Sequence, residues 1–147
     1  MISAACALLA ERALICMGPN DGTAIANADH VKVVEAVNHA VIFPACRAVV
    51  HHGGAGTTAA GLRAAVPTLV LWAGLDQPIW AAAIEQLKVG FAQRFSATNQ
   101  ESLVADLRSI LNPQCVTQAR DIAALMTKSA ESVTSAADLL EAAALSA

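Results

Sequence analysis

Tyrosine is absent from the 147 residues, and Phe and Trp contribute only three and two. Charged residues make up 14%, and the net charge is −3. The nine Lys and Arg are scattered along the chain. A nucleic-acid surface needs a basic footprint and usually stacking rings. Neither is here, so no nucleic-acid partner is expected. No apolar run approaches the roughly 20 residues that span a bilayer. The opening MISAACALLAER has no basic stretch and soon meets Glu11 and Arg12, so it is not read as a signal peptide. A cytoplasmic location is expected. Cys6, Cys16, Cys46 and Cys115 show no C-x-x-C spacing and are expected to be reduced, buried thiols.

What remains is apolar: 56% of residues are hydrophobic, and the mean hydropathy is +0.52. The length suits one domain. Ile2 to Glu11 is expected to be helical, rich in Ala and Leu. Ala13 to Gly18 reads as a buried strand closed by the turn cluster Gly-Pro-Asn-Asp-Gly, and HVKVV (His30 to Val34) as a short strand. Asn38 to Cys46 reads as a short helix with Pro44 near its end, and Arg47 to Val50 as a strand. Thr57 to Ala65 reads as a helix stopped by Val66-Pro67. TLVLW (Thr68 to Trp72) has the continuous apolarity of a strand buried on both faces. Asp76 to Lys88 is a helix with Pro78 in its first turn, broken by Gly90, with Phe91 to Phe95 as a last strand. A helical tail covers about 99–147. Thr98-x-x-Glu101 is a capping-box signature, and Leu103, Leu107, Ile110 and Leu111 share a face. Asn112-Pro113 starts another helix, reaching about Met126. Glu131 to Leu145 is the last, with Val133, Ala136, Ala137 and Leu140 as its stripe. Strands alternating with helices predict an α/β, Rossmann-like parallel sheet flanked by helices.

The stretch VVHHGGAGTTAAG (Val49 to Gly61) is strand, glycine turn, helix. Such a turn aims unpaired N–H groups and a positive dipole end at an anion. Gly53, Gly54 and Gly56 permit close backbone approach. Thr57 and Thr58 can cap the helix and offer hydroxyls. The lysine of a P-loop and the GxGxxG of dinucleotide folds are missing. So are the HExxH of zinc proteases and the GxSxG of hydrolases, and no metal is expected. By itself the turn fits an anion site or a plain tight turn equally well. LWAGLDQPIWA follows the next strand. Asp76 and Gln77 stand at its carboxyl end, where ligands of open α/β sheets bind. Together they can accept from and donate to vicinal hydroxyls, although Asp76 could also serve only as an N-cap. A phosphate cradle and a hydroxyl clamp one β-α unit apart suit one ligand, a nucleoside diphosphate sugar.

From Val49 to Gly90 the sequence closely resembles the donor-binding signature of GT-B-type glycosyltransferases: bacterial antibiotic and glycolipid enzymes, sterol glucosyltransferases and, more distantly, UDP-glucuronosyltransferases. A weaker match runs back to about Val33. The resemblance implies the C-terminal half of a GT-B fold, with residues 1–147 as a nucleotide-sugar-binding domain. It implies that His52, Gly54, Ala55, Gly56 and Thr57 hold the donor diphosphate. Asp76 and Gln77 would hold the sugar, Val37 and His39 would meet the nucleoside, and His51 would support the turn. It also implies an inverting transferase that moves a hexose to a lipid or small-molecule hydroxyl without metal or cofactor. The alternative is a non-catalytic or vestigial fragment that binds the nucleotide sugar.

Departures from the family pattern qualify this picture. Ala60 stands where plant relatives carry a ribose-binding glutamate, and Ala36 where they stack a tryptophan on the base. UDP- and dTDP-sugars therefore both stay open. Ala65 replaces a glycine and would be costly if left-handed. The family's N-terminal acceptor domain and the donor domain's first strand have no counterpart here. The expected chain is thus N-terminally shortened through a truncated frame, a misassigned start or a decayed gene. Its catalytic base would belong to a separate acceptor domain, so the isolated chain is expected to be inactive. The apolar composition fits weak, peripheral membrane association or a face left uncovered.

Overall fold

The computed structural model describes residues 1–19 and 28–145. Asn20, Asp21 and Gly22 of the expected turn cluster lie outside the described residues. Strands β1 (Ala13–Cys16) and β2 (Val31–Val34) pair in parallel, as do β3 (Val49–His51), β4 (Thr68–Trp72) and β5 (Gly90–Arg94). The helices are α1 (Ile2–Leu8), α2 (His39–Ile42), α3 (Ala55–Arg63), α4 (Gln77–Gln86), α5 (Gln100–Ile110), α6 (Pro113–Leu125) and α7 (Ser129–Leu145). A 3-10 turn, Phe43–Ala45, carries Pro44 out of α2, as its position predicted.

The β4 strand is the centre. Leu69 and Leu71 face one side, packing with Ala5 of α1, Leu103, Leu107 and Ile110 of α5, and Cys115 of α6. Val70 faces the other, packing with Ala81 and Ile84 of α4 and with Ala119 of α6. The alternation of a strand with both faces covered produces this. Leu69, Val70, Ile84, Leu103 and Ile110 are fully buried, each stabilising the fold by about 1.5–3 kcal/mol. Phe43, Val49 and Val66 form a smaller cluster beside β3.

Several expectations need correction. One sheet was expected, and two are found: β1-β2 and β3-β4-β5. The break falls between β1 and β3, where the 3-2-1-4-5-6 order of such folds places its central strand. Arg47 and Glu11, ahead of β3 and β1, form an ion pair across it. With no neighbour on that side among the described residues, β1 is only half-covered, not buried. Of the four free cysteines only Cys6 and Cys115 are buried, while Cys16 is exposed. The first helix stops at Leu8 and Ala10 turns left-handed, with φ +54°. Helix α4 ends at Gln86, where Lys88 turns to φ +57°. Gly90 is therefore not the breaker but the first residue of β5. The cap of α5 is one residue later than Thr98: the Asn99 side chain accepts from Ser102 N–H at 2.9 Å, and the Ser102 hydroxyl takes the Asn99 N–H at 3.1 Å. The stripe of α7 is not a core face, since Val133 and Leu140 are 71% and 73% exposed.

Candidate functional site

The carboxyl ends of β3 and β4 carry the two motifs. The chain leaves β3 at His51, turns through Gly53 at φ +92° and enters α3 from Gly54. The helix starts two residues earlier than expected because Gly54 is its N-cap, in extended conformation and without a side-chain cap. The capping role expected of Thr57 and Thr58 is therefore wrong. Thr57 is the third residue of the helix. Thr58 is buried and donates its hydroxyl to Gly54 O at 3.0 Å. The first intrahelical bond is Thr58 N–H to Gly54 O at 2.9 Å. The N–H groups of Ala55, Gly56 and Thr57 consequently have no acceptor among the described residues. They form a donor set at the positive end of the helix. Nothing lies within 4 Å of where a Gly56 side chain would start, so the flank of the first turn is open there.

The two histidines separate. His51 accepts the Gly53 N–H on Nδ1 at 2.9 Å, which places its proton on Nε2. That Nε2 is buried without a partner among the described residues. Burial above all, then the neighbouring His52 and His39, pushes the His51 pKa down to about 4. A neutral His51 thus braces the turn, as the sequence suggested. His52 is exposed, and its ring lies over the helix entrance: a β-carbon on Gly54 would stand 2.8 Å from His52 Nε2. The two rings are near-perpendicular, with centroids 6.4 Å apart.

Gly53 joins the motifs. A side chain there would meet Val70 Cγ1 at 2.8 Å and the Gln77 β-carbon and carbonyl oxygen at 3.3 Å. The turn therefore packs directly against the start of α4. Gln77 folds back, and its Oε1 accepts the N–H groups of Ala73 and Gly74 at 2.8 and 3.3 Å, which leaves its amide NH2 to donate. Asp76 precedes α4 with helical dihedrals and no side-chain cap. Its Oδ2 instead accepts the Trp80 indole N–H at 3.0 Å. Sequence reading missed Trp80, although its spacing of four from Asp76 on a helix was a usable signal.

The nucleoside candidates lie between β2 and β3. His39 opens α2, whose N-cap Asn38 accepts Ala40 N–H at 3.0 Å. The His39 ring stacks on Phe43 with centroids 4.5 Å apart, and α2 packs on α3. Val37, half-buried, lies in the loop before α2. Ala65 is left-handed, with φ +59°, the costly case. Among the described residues no three His, Cys, Asp or Glu side chains gather where they could hold a metal ion. No described helix is long and apolar enough to cross a membrane.

Comparison with known proteins places this geometry. Residues 5–141 match the model of the erythromycin biosynthesis protein CIII-like C-terminal domain. An uncharacterized glycosyltransferase of Mycobacterium tuberculosis is 69% identical over 144 residues, 98% of this chain and 35% of the relative. The chain thus spans about a third of the length of the curated relatives it matches. Among solved structures, the glycotransferase of kitacinnamycin superposes with a TM-score of 0.78 at 19% identity, covering 83% of this chain and 33% of the other. Glycosyltransferase VinC in complex with dTDP superposes with a TM-score of 0.70 at 25% identity, covering 76% of this chain and 29% of the other.

Proposed function

Because the chain belongs to the erythromycin biosynthesis protein CIII-like C-terminal domain family, a C-terminal GT-B glycosyltransferase domain, we propose that it binds a nucleoside diphosphate sugar as the donor half of a transferase. The observation that carries this reading is the contact of Gly53 with Gln77. It puts an anion-ready helix entrance and a hydroxyl-ready side-chain pair in one site. The free N–H groups of Ala55, Gly56 and Thr57, with the His52 ring above them, take the diphosphate. Asp76 and Gln77 take the sugar. Val37 and His39 meet the base and ribose, and both UDP and dTDP remain candidates.

In transfer, negative charge grows on the departing diphosphate. Fixed donors at a helix entrance stabilise that charge without reorganising. The His52 ring adds an N–H donor. A base on a separate acceptor domain takes the proton from an acceptor hydroxyl. In this proposal the hexose moves with inversion to a lipid or small-molecule hydroxyl, without metal or cofactor, in the cytoplasm or at the membrane surface. The 147-residue chain by itself binds donor but does not turn over.

Calorimetry of the whole chain with UDP, dTDP, UDP-glucose and dTDP-glucose tests the reading. A hydrogen bond to a charged group is worth about 1.5–3 kcal/mol, so His52→Ala should weaken binding by about 10- to 100-fold. Equal binding by His52→Ala and wild type, or none by wild type, overturns it.

A further inference from the structure

We propose that Trp80 is a positioning residue for the sugar subsite: its indole N–H fixes the Asp76 carboxylate in the orientation that accepts a donor-sugar hydroxyl. The inference rests on the function proposed above and adds a residue to it. Three observations carry it. First, Trp80 Nε1 donates to Asp76 Oδ2 at 3.0 Å from one turn further along α4. Second, the Asp76 side chain makes no other hydrogen bond among the described residues. The residue stands at the N-cap position, but its side chain makes no cap bond, so the helix does not explain its conformation. Third, Gln77 is held in the complementary sense, by its oxygen, through the Ala73 and Gly74 N–H groups.

The result is a matched pair. Asp76 is tied by Oδ2, leaving Oδ1 as an acceptor, and Gln77 is tied by Oε1, leaving its NH2 as a donor. Neighbouring hydroxyls of a sugar fit that pair, one donating to Asp76 and the next accepting from Gln77. An indole N–H is a donor only, so Trp80 cannot accept the hydroxyl's proton in place of Asp76. Both Asp76 and Trp80 are solvent-accessible. A carboxylate there would otherwise rotate freely and lose that freedom on binding. The indole removes this cost beforehand.

The contact itself is read first, by the two indole N–H signals of the 15N-labelled chain, from Trp72 and Trp80. Asp76→Ala should move the Trp80 signal toward that of a free indole and leave the Trp72 signal in place. No movement overturns the proposal. Calorimetry then compares UDP with UDP-glucose, and dTDP with dTDP-glucose. Trp80→Phe keeps a ring and deletes the N–H. It should lower affinity for the nucleotide sugar about tenfold and leave that for the bare nucleoside diphosphate unchanged. Trp80→Leu should do the same, and serves if the Phe variant does not fold. A parallel loss for both ligands would mark a structural role, and no loss would mark an idle contact; either overturns the proposal alone. A wild-type chain that binds neither ligand overturns the parent reading and this one with it, even if the indole signal moves.

Discussion

His51 makes the fold sensitive to acid. Its Nδ1 already accepts the Gly53 N–H, so a proton placed on Nδ1 would set two donors against each other. Its Nε2 is buried without a partner among the described residues, so the charged ring would also lack solvation. These conditions accompany a pKa lowered from 6.5 to about 4, caused first by burial and then by His52 and His39. The sign follows from proton counting. Above the unfolded value both states are neutral, and the full stability is present. As the pH falls from 6.5 toward 4, the unfolded chain takes a proton that the folded chain refuses, and stability falls. At about 1.36 kcal/mol per unit, the loss is on the order of 3 kcal/mol. That is a large part of the roughly 5–15 kcal/mol that holds a domain folded. Asp106 works the other way. Burial and Glu85 raise its pKa, so the folded chain takes that proton first and gains stability just above the usual carboxylate range. A comparison with His51→Gln cancels the Asp106 contribution, because glutamine can keep an acceptor for Gly53 but does not titrate. Urea denaturation of both proteins between about pH 7 and pH 4 should show the wild-type advantage shrinking by about 3 kcal/mol. A difference that stays constant to within about 0.5 kcal/mol would refute the reasoning.

Two backbone positions and two capping candidates give further tests. A β-carbon on Gly90 would stand 1.8 Å from Thr68 O and 2.8 Å from Ile84 Cγ2; Gly90→Ala should cost at least about 3 kcal/mol in urea denaturation, and a cost below about 1 kcal/mol would contradict the tight β4–β5 approach. Ala65 holds φ +59°, so Ala65→Gly should relieve roughly 1–2 kcal/mol of strain, less about 0.4–1 kcal/mol of added unfolded-state entropy, and raise the thermal midpoint by a few degrees. Asn99→Ala removes the cap of α5 and should cost about 1 kcal/mol. Thr98→Ala, which deletes only an exposed bond to Arg94 O, should stay within about 0.5 kcal/mol by the same denaturation assay.

The parts of this molecule legible in its sequence are those governed by local chemistry. TLVLW declared a doubly covered strand, and the structure buries Leu69 and Val70 on opposite faces. Asn112-Pro113 declared a helix start, and Asn112 caps α6 by accepting Cys115 N–H at 2.9 Å. Errors arose where two local signals competed. Thr98 and Asn99 are both good caps, and the choice went to Asn99 because Ser102 could return the bond. Thr57 looked like a cap, but α3 had already begun at a glycine. Other errors were tertiary. A stripe of Val133 and Leu140 says that a helix could bury a face, not that anything covers it. Alternating strands and helices by themselves predict pairing, and it was the resemblance, with no counterpart for the first strand, that pointed to the break between β1 and β3.

The site divides along the same line. Its two halves were legible separately, because glycines before a helix and Asp-Gln after a strand each have a local meaning. Their spacing also suggested one ligand, but the packing that joins them was not legible, since it depends on the space around one atom that Gly53 lacks. An L side chain at that position would push Val70 and Gln77 away, separating the helix entrance from the side chains beside it. Gly53 is therefore required twice, once for φ +92° and once for the missing β-carbon. A D-alanine at position 53, placed by chemical synthesis, accepts a positive φ but still carries a β-carbon. If that carbon, projecting from the opposite side of the backbone, restores binding of a nucleoside diphosphate sugar where Gly53→Ala abolishes it, the obstacle is the L side chain, through its dihedral and its contacts together. If D-alanine and L-alanine both lower the affinity for the nucleotide sugar, a β-carbon on either side of the backbone disturbs the turn.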